Sequence, residues 1–459
     1  MDKDKLTVLL IHSEISRTKY NFVGVIENEC LELEYISTIL KERNYRVFLY
    51  DGQVEKESVK QKIEECNPNV VYVCGRTRQE NFMLEYCQCA KKYNSNILTI
   101  IGGLHAQLCY ERMYKEYVDY ILTTFDIYKI LDIIDYTFYD KKINLEDIEG
   151  ICYKNQNNWI KNNSTFFDIN KLPLPDRTYF YEHSNNYRYL ELEHSAWVRT
   201  TYCCPYNCIF CHRNKMNLGK YVCRDIKSVV DEIENIKTEN IYIVDDDFLF
   251  NNTRLNEFIE LVKKRKIKKK YICYGRSDFI ANNYEMMKKL KEIGLYYVLV
   301  GLETIENNKL DIYNKKSNIN NNIKSIEVCN DLKINIMGMF IVDIDYRAKD
   351  FSNLYKWIKK YKLKHVAISI YTPEMGIENY NEYKNKLITS NPSHWDYLHL
   401  VVRPTKMSIR RYYYNYYKLL IKLFLKAQKE GIYDFINYKD YIISFIRNIF
   451  KIKRKNDDE

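Results

Sequence analysis

The stretch Thr201-Tyr-Cys-Cys-Pro-Tyr-Asn-Cys-Ile-Phe-Cys-His212 carries three cysteines at the spacing C-x3-C-x2-C, namely Cys204, Cys208 and Cys211. Closely spaced thiolates are soft ligands suited to iron and sulfide, whereas a structural zinc ion takes four ligands in a closed tetrahedron. Three cysteines on a cluster of four irons leave one iron open for a substrate. The alternatives are a zinc site or three packed core cysteines. The adjacent Cys203 is expected to point away from the metal.

Length and composition describe a globular chain of two or three domains. It has 459 residues, of which 46% are hydrophobic and 29% are charged, as is ordinary for soluble proteins. The net charge is +10, but the basic residues are spread along the chain rather than grouped in a stripe. We therefore predict no nucleic acid as a partner.

The sequence contains no signal for secretion or membrane insertion. Residues 1–6 are followed by no long apolar region, and no run of about 18 apolar residues occurs, which predicts neither a signal peptide nor a spanning helix. The 14 cysteines are then interpreted as reduced thiols. A cytoplasmic protein that works under anaerobic conditions is expected.

Residues 1–145 alternate short apolar runs with helical spacings. Strands are predicted at 6–12, 45–50, 69–75, 96–101 and 118–123, with helices between them. This pattern is typical of an α/β domain, a doubly wound parallel sheet with helices on both faces. Such sheets bind ligands beyond the carboxyl ends of their strands. Residues 146–189, with a hairpin and a proline-rich stretch, are predicted to be a connector.

Residues 190–375 resemble a series of βα units. Six parallel strands are predicted, at 197–202, 241–247, 271–276, 297–303, 334–342 and 365–371. Chemistry in such an arrangement gathers where the strands end, and the polar outliers of the region fall there: the cysteines, Asp245, Asp246, Asp247, Arg276, Glu303 and Tyr371. Residues 376–459 are predicted to form a helical cap, with an amphipathic surface for peripheral contact with anionic membrane as the alternative.

The cysteine spacing, with Phe210 just before the last cysteine, resembles that of the radical S-adenosylmethionine (SAM) superfamily. The resemblance implies a partial (β/α)6 barrel that holds a 4Fe-4S cluster, whose open iron chelates SAM. One electron then cleaves SAM to a 5′-deoxyadenosyl radical, while the protein supplies orientation and excludes water. Phe210 is expected to contact the adenine.

Other barrel positions resemble this superfamily less specifically. Asp245 or Asp246 matches its second-strand acidic motif, which approaches the ammonium group of SAM, although a helix N-cap also explains an acid there. Gly301-Leu-Glu303 resembles its Gly-x-Glu motif beside the ribose, and Arg276 resembles its third-strand arginine. A buried Arg–Glu pair is the alternative for these two side chains.

The segment Ile100-Ile-Gly-Gly-Leu-His-Ala106 resembles the diglycine segment of cobalamin-binding domains that precede radical SAM barrels. Gly102 and Gly103 would let the backbone pass close to a flat ligand tail, and Thr77 lies where relatives approach the corrin. A plain turn of a doubly wound sheet is the alternative. No Asp-x-His-x-x-Gly motif follows the first strand, so the group below cobalt is undefined and His12 is expected to be a loop or packed histidine.

These resemblances imply a cobalamin-dependent radical SAM enzyme with a small-molecule or lipid-like substrate and flavodoxin or ferredoxin as electron donor. Methyl transfer to an unactivated carbon is the expected reaction, and a cobalamin-dependent cyclase or oxidoreductase is the alternative. A non-catalytic iron–sulfur protein is disfavoured, because such carriers close their cluster with a fourth cysteine. Asp343 replaces a glycine and Met375 a proline of the family pattern, which leaves the substrate undefined.

Overall fold

Apolar runs near the N-terminus form the core of the first sheet in the computed structural model, which describes residues 6–16, 26–139, 143–432 and 434–435. The strands here are β1 Thr7–His12, β2 Ile26–Glu27, β3 Arg46–Asp51, β4 Val70–Cys74, β5 Leu98–Gly102, β6 Tyr120–Leu122, β7 Ile151–Asn155 and β8 Asn158–Lys161. All except β2 belong to one seven-stranded sheet in the order β3-β1-β4-β5-β6-β7-β8.

Helices cover both faces of this sheet, as the apolar strands require. They are α1 Leu31–Lys41, α2 Val59–Cys66, α3 Glu80–Tyr93, α4 Gly103–Cys109 and α5 Lys129–Tyr139. Side chains alternate along β1, so that Val8 and Leu10 pack in the same cluster as α1 and α5. Leu9 and Ile11 pack with α2 and α3 on the other face.

The chain order reverses between β1 and β4, which are parallel neighbours. The connection from β1 leads to β3 on one side of β1, and the connection from β3 leads to β4 on the other side of β1. A reversal of this kind opens a crevice at the carboxyl ends of the strands. The sheet therefore presents His12 and Cys74, the last residues of β1 and β4, at such a crevice.

The predicted hairpin lies at the edge of this sheet. Strand β7 pairs antiparallel with β6, and β8 pairs antiparallel with β7. Trp159 stacks on Tyr114 with ring centroids 4.7 Å apart, which fixes the hairpin against the domain. The first sheet therefore continues past residue 145 to Lys161.

The second sheet is an open barrel of six parallel strands. The strands of this part are β9 Arg188–Tyr189, β10 Leu192–Glu193, β11 Ala196–Val198, β12 Thr201–Tyr202, β13 Val222–Cys223, β14 Asn240–Ile243, β15 Lys270–Gly275, β16 Leu295–Glu303, β17 Asn335–Val342 and β18 His365–Ile370. The barrel order is β11-β14-β15-β16-β17-β18, with every neighbouring pair parallel. The fold class predicted from the sequence is confirmed.

The helices of the second half are α6 Thr178–His183, α7 Ile226–Asn235, α8 Asn252–Lys264, α9 Ser277–Asn282, α10 Tyr284–Glu292, α11 Asn307–Ile312, α12 Ile319–Asp331, α13 Ala348–Lys360, α14 Glu378–Tyr383 and α15 Ile409–Lys429. Helix α15 lies on the barrel, because the hydroxyls of Tyr412 and Tyr416 donate hydrogen bonds to the carbonyls of Val342 and Ile368. The end of the predicted cap, residues 436–459, lies outside the described residues. None of the described helices combines the length and apolarity needed to cross a bilayer.

The first barrel strand is shorter than predicted. The stretch 197–202 divides into β11 and β12, and β12 pairs antiparallel with β13. The cause is Asp245, whose carboxylate accepts hydrogen bonds from the backbone N–H groups of Thr200 at 2.6 Å and Thr201 at 2.9 Å. These bonds draw the backbone out of the sheet just before the cysteine loop.

One buried arginine joins the two domains. The guanidinium of Arg177 lies 3.1 Å from the carboxylate of Glu29 in the first domain and 2.8 Å from that of Glu232 in the barrel. All three side chains are buried. The adjacent Asp176 accepts hydrogen bonds from Lys41 and Ser37 of α1. The proline-flanked linker therefore fixes the orientation of the domains.

Candidate active site

The cysteine loop leaves the end of β12 and is held by the chain that follows α11. The backbone N–H of Ile209 donates to the carbonyl of Tyr313 at 3.1 Å, and Asn314 donates to the carbonyl of Asn207. Phe210 packs edge-on against the ring of Tyr313, 5.2 Å between centroids. These contacts set the loop at the carboxyl rim of the barrel.

The three predicted ligands lie close enough to affect one another. Burial raises the pKa of Cys204 and of Cys211 to about 12, and the nearby Cys208 adds to both shifts. Burial also raises the pKa of Cys208, against the charges of Lys315 and Arg276. One buried and two half-buried thiols fit a metal centre, since a bound metal ion deprotonates a thiol outright. The donor set therefore suits the three cysteine-ligated irons of a 4Fe-4S cluster.

Cys203 differs from these three. Its thiol is buried and lies 3.7 Å from the carbonyl of Cys204, to which it donates. Its φ of 69° is rare for a residue with a Cβ. The chain bends at this residue, between β12 and the cysteine loop.

The three consecutive aspartates at the end of β14 have different environments. Asp245 accepts the backbone hydrogen bonds of Thr200 and Thr201. Asp246 pairs with Arg213 at 2.6 Å. Asp247 is buried, and among the described residues neither of its carboxylate oxygens has a hydrogen-bond partner.

Asp247 is therefore the acid that fits a bound cation. Burial raises its pKa to about 7, although Arg276 and Lys315 act in the opposite direction, and its charge also affects Cys204. A buried carboxylate without a partner is costly, and an ammonium group would supply one. The sequence analysis favoured Asp245 or Asp246. Asp245 and Asp246 differ from Asp247 in that their carboxylates already have hydrogen-bond donors, Thr200 and Arg213.

A lysine that the sequence analysis did not select completes this side of the rim. Lys315 Nζ lies 2.7 Å from the carboxylate of Glu303, and both side chains are buried. Glu303 has a φ of 61° at a bulge where the β16–β17 register shifts, and such local strain often marks a functional site. Lys315 has no motif of its own, so only the fold brings it to Glu303.

Arg276 does not form the buried Arg–Glu pair that was the alternative. Its guanidinium donates to Asp278 at 2.9 Å and to the carbonyl of Lys315 at 2.6 Å. It also lies over the ring of Tyr206, 3.6 Å from the centroid. Arg276 therefore braces the cysteine loop and the segment that carries Lys315.

A cleft that is open to solvent separates the two domains beside this rim. Its walls carry guanidinium groups from both domains, Arg76 and Arg78 from the first and Arg199 and Arg213 from the second. Desolvation between the walls, together with the charges of Arg213 and Arg78, lowers the pKa of Arg76. These walls fit a large ligand with many hydrogen-bond acceptors, such as the amides and phosphate of a cobalamin.

The residues predicted for corrin binding differ in their position relative to the cleft. Thr77 is not part of the cleft lining, although both of its neighbours are. A Cβ on Gly102 would stand 2.0 Å from the hydroxyl of Tyr72, and Gly103 has a φ of 82°. The glycines therefore permit close packing against β4, and the sites of Thr77, Gly102 and Gly103 as cofactor contacts stay predictions.

His12 and Glu374 also lie near this cleft. His12 lines it at the end of β1, with Nδ1 3.0 Å from the carboxylate of Asp51. Glu374 belongs to the stretch that departs from the family pattern and accepts a hydrogen bond from Tyr397. Burial opposes ionisation of Glu374, but His212, which follows the last cysteine, lowers its pKa overall.

Two family models match the chain. The radical SAM superfamily matches residues 198–358, and the B12 binding domain matches residues 27–126. These ranges contain the cysteine loop and most of the first sheet, respectively. The radical SAM match implies a 4Fe-4S cluster and SAM as cofactors, and the B12-binding match implies cobalamin.

Individual relatives match the chain at low identity. The chain is 26% identical over 210 residues to a hopanoid C-3 methylase of Methylococcus capsulatus, covering 46% of this chain but only 40% of that protein. It is 23% identical over 388 residues to an anaerobic magnesium-protoporphyrin IX monomethyl ester cyclase of Rubrivivax gelatinosus, covering 81% of this chain and 69% of the cyclase.

A solved structure has the same fold. OxsB, a cobalamin-dependent SAM radical enzyme determined with aqua-cobalamin and SAM bound, superimposes with a TM-score of 0.70 at 17% identity. The match covers 88% of this chain and 65% of OxsB. The chain contains a radical SAM domain that follows a B12-binding domain.

Proposed function

We propose that this chain is a cobalamin-dependent radical SAM methyltransferase that methylates an unactivated carbon of a small-molecule or lipid-like substrate. The observation that carries the proposal is the position of the cleft. One wall belongs to the domain that matches the B12-binding family, and the other includes Arg213, which follows the last cysteine of the loop by two residues. Cobalamin and SAM would therefore face one shared space.

When bound, the cluster supplies the electron that cleaves SAM, and cobalamin supplies the methyl group. The chain's own residues hold and orient these groups. Cys204, Cys208 and Cys211 would ligate three irons, and the partnerless carboxylate of Asp247 would accept the ammonium group of SAM. The Lys315–Glu303 pair would present an ammonium and a carboxylate to the rest of the SAM molecule.

The substrate would enter between the two domains, where the removal of a hydrogen atom and the arrival of the methyl group take place at one carbon. Arg177 keeps the walls at a fixed separation by pairing with a carboxylate in each domain. Fixed positions of this kind hold reactants near their attack distance. Flavodoxin or ferredoxin is the proposed electron donor, and the cytoplasm is the proposed location.

Radical cyclisation is a second candidate, favoured by one specific comparison. The alignment with the ester cyclase spans 81% of this chain, whereas that with the hopanoid methylase spans 46%. Both reactions use the same cleft and the same cysteine loop. The two reactions differ in whether the methyl group of SAM is transferred to cobalt.

The test is to incubate the reconstituted protein anaerobically with hydroxocobalamin, a reductant and SAM labelled with deuterium in its methyl group. The proposal predicts deuterated methylcobalamin and S-adenosylhomocysteine, separated by chromatography and identified by mass. Formation of 5′-deoxyadenosine without either product would favour cyclisation. Failure of the protein to retain cobalamin on gel filtration would remove both candidates.

A further inference from the structure

The outward side of helix α15 exposes apolar and basic side chains together. We call this surface the α15 face, and it consists of Arg410, Arg411, Tyr414, Lys418, Ile421, Lys422, Leu425, Gln428 and Lys429, all exposed. Tyr414 is 65% exposed, Ile421 57% and Leu425 49%. Apolar side chains exposed to this extent on one helix are a sign of an interaction surface.

Helical geometry arranges the α15 face as a ridge with a basic border. At 3.6 residues per turn, its nine residues fall within about 120° of the helix circumference. Tyr414, Ile421 and Leu425 occupy about 40° of that arc, nearer to its Arg410 edge. Lys418 and Lys422 lie on one side of the ridge, and Arg410 lies on the other. The opposite side of the helix carries the residues that pack on the barrel, including Tyr412 and Tyr416.

The charge of this surface has a single sign. The 21 residues of α15 include six lysines and arginines and neither aspartate nor glutamate. In the described part of the chain, none of the five basic side chains of the α15 face forms an ion pair; the recorded partner of Lys418 is the ring of Tyr414. The neighbouring helix α13 extends the charge with four exposed lysines, Lys349, Lys356, Lys359 and Lys360.

We propose that the α15 face is a docking surface for a lipid bilayer that contains anionic headgroups. An apolar ridge with a basic border matches the boundary between acyl chains and anionic headgroups. A second copy of the chain would bring like charges together on this face. A nucleic acid would match the charge but leave the apolar ridge exposed. The inference stands apart from the methyltransferase proposal, because it concerns a surface rather than the cleft.

The experiment uses the full chain and co-flotation with vesicles. Vesicles of phosphatidylcholine with about 30% phosphatidylglycerol should carry the protein, and pure phosphatidylcholine vesicles should not. Raising the salt from about 0.1 M to about 0.5 M should weaken binding by screening. Replacing both Lys418 and Lys422 by glutamate should lower the affinity more than about tenfold.

A matched control separates this face from overall charge. The double variant Lys288→Glu and Lys289→Glu changes the net charge equally on exposed positions of α10, and it should bind like the unmodified protein. The double variant Ile421→Ser and Leu425→Ser tests the apolar ridge without changing the charge. It should also bind the anionic vesicles more weakly. Circular dichroism checks that each variant is folded.

Three outcomes would overturn the proposal. These are equal binding to neutral and anionic vesicles, equal loss in the α10 control, or binding of duplex DNA in preference to anionic vesicles. Dimerisation that disappears on changing Ile421 and Leu425, without vesicle binding, would assign the face to a second copy instead. None of these results depends on SAM cleavage, so the methyltransferase proposal is tested separately.

Discussion

The ammonium group of Lys315 lies 2.7 Å from a carboxylate oxygen of Glu303, directly over Gly301. A Cβ on Gly301 would stand 2.2 Å from the Glu303 carboxylate and 2.8 Å from Lys315 Nζ. Glycine at this position therefore lets a buried ion pair lie against the strand, and both charges of the pair act on Cys208. The Gly-x-Glu motif and Lys315 form one unit at the rim of the barrel.

The variant Gly301→Ala should therefore weaken SAM binding by about tenfold or more, because displacing a buried hydrogen-bonded charge costs several kcal/mol. Iron content should stay unchanged, since no cysteine moves. Calorimetry and iron analysis provide the measurements. Gly338→Ala on the adjacent strand crowds Leu363 and Leu302 instead, so it should lower thermal stability and leave SAM affinity intact. Equal affinities in all three proteins would contradict the assignment.

The different environments of the three consecutive aspartates predict that substitutions of Asp247 and Asp245 have different effects. Asp247→Asn should reduce SAM affinity by one to two orders of magnitude, because it removes a charged hydrogen-bond acceptor, and it should not lower the melting temperature. Asp245→Ala should lower the melting temperature, because it leaves the N–H groups of Thr200 and Thr201 unpaired. Calorimetry and thermal melts distinguish the two. Unchanged SAM affinity in Asp247→Asn would exclude that residue as the ammonium site.

Arg177 should be among the most sensitive positions of the fold. Arg177→Met leaves the buried carboxylate of Glu29 without its ion-pair partner and leaves Glu232 paired with Arg224 alone, at a cost of about 3–5 kcal/mol. Lys41→Met removes an exposed partner of Asp176 and should cost less than about 1 kcal/mol. Denaturation followed by fluorescence measures both. Similar losses in the two variants would mean that the buried charges are neutralised in another way.

The pH dependence of stability should include a contribution from His365. Burial, assisted by Lys364 and Lys426, lowers its pKa from 6.5 to about 4. The unfolded chain therefore binds a proton at a higher pH than the folded one, and stability is lost as the pH falls from 6.5 towards 4. His365→Gln should show a smaller drop in melting temperature between pH 7 and pH 5 than the unmodified protein. An equal drop would show that folding does not change the pKa of His365.

Strand positions followed from apolar runs because a parallel sheet buries both faces of each strand. The sequence therefore predicted β1, β3 to β6 and the six barrel strands to within a few residues, and the cysteine loop was found by its spacing. The break at Thr200 was not predictable, since its cause is Asp245, 45 residues later. The hairpin was predicted, but its pairing with β6 depends on tertiary contacts.

The site was predictable where a residue carries a local motif and not where the fold supplies it. Glu303 belongs to a motif, whereas Lys315 reaches it through a bend after α11. The acids at the tip of β14 look equivalent in sequence, and only hydrogen bonding to Thr200 and Arg213 sets Asp247 apart. The diglycine segment resembled a cofactor contact, but its close neighbour is Tyr72.

The central claim is that Cys204, Cys208 and Cys211 hold a cluster with one iron open to SAM. The most direct measurement is 5′-deoxyadenosine formation after anaerobic reconstitution with iron and sulfide, then addition of dithionite and SAM. The unmodified protein and Cys203→Ala should form it, and Cys208→Ala should not. Absence of 5′-deoxyadenosine from the reconstituted unmodified protein, or its full retention in Cys208→Ala, would contradict the account.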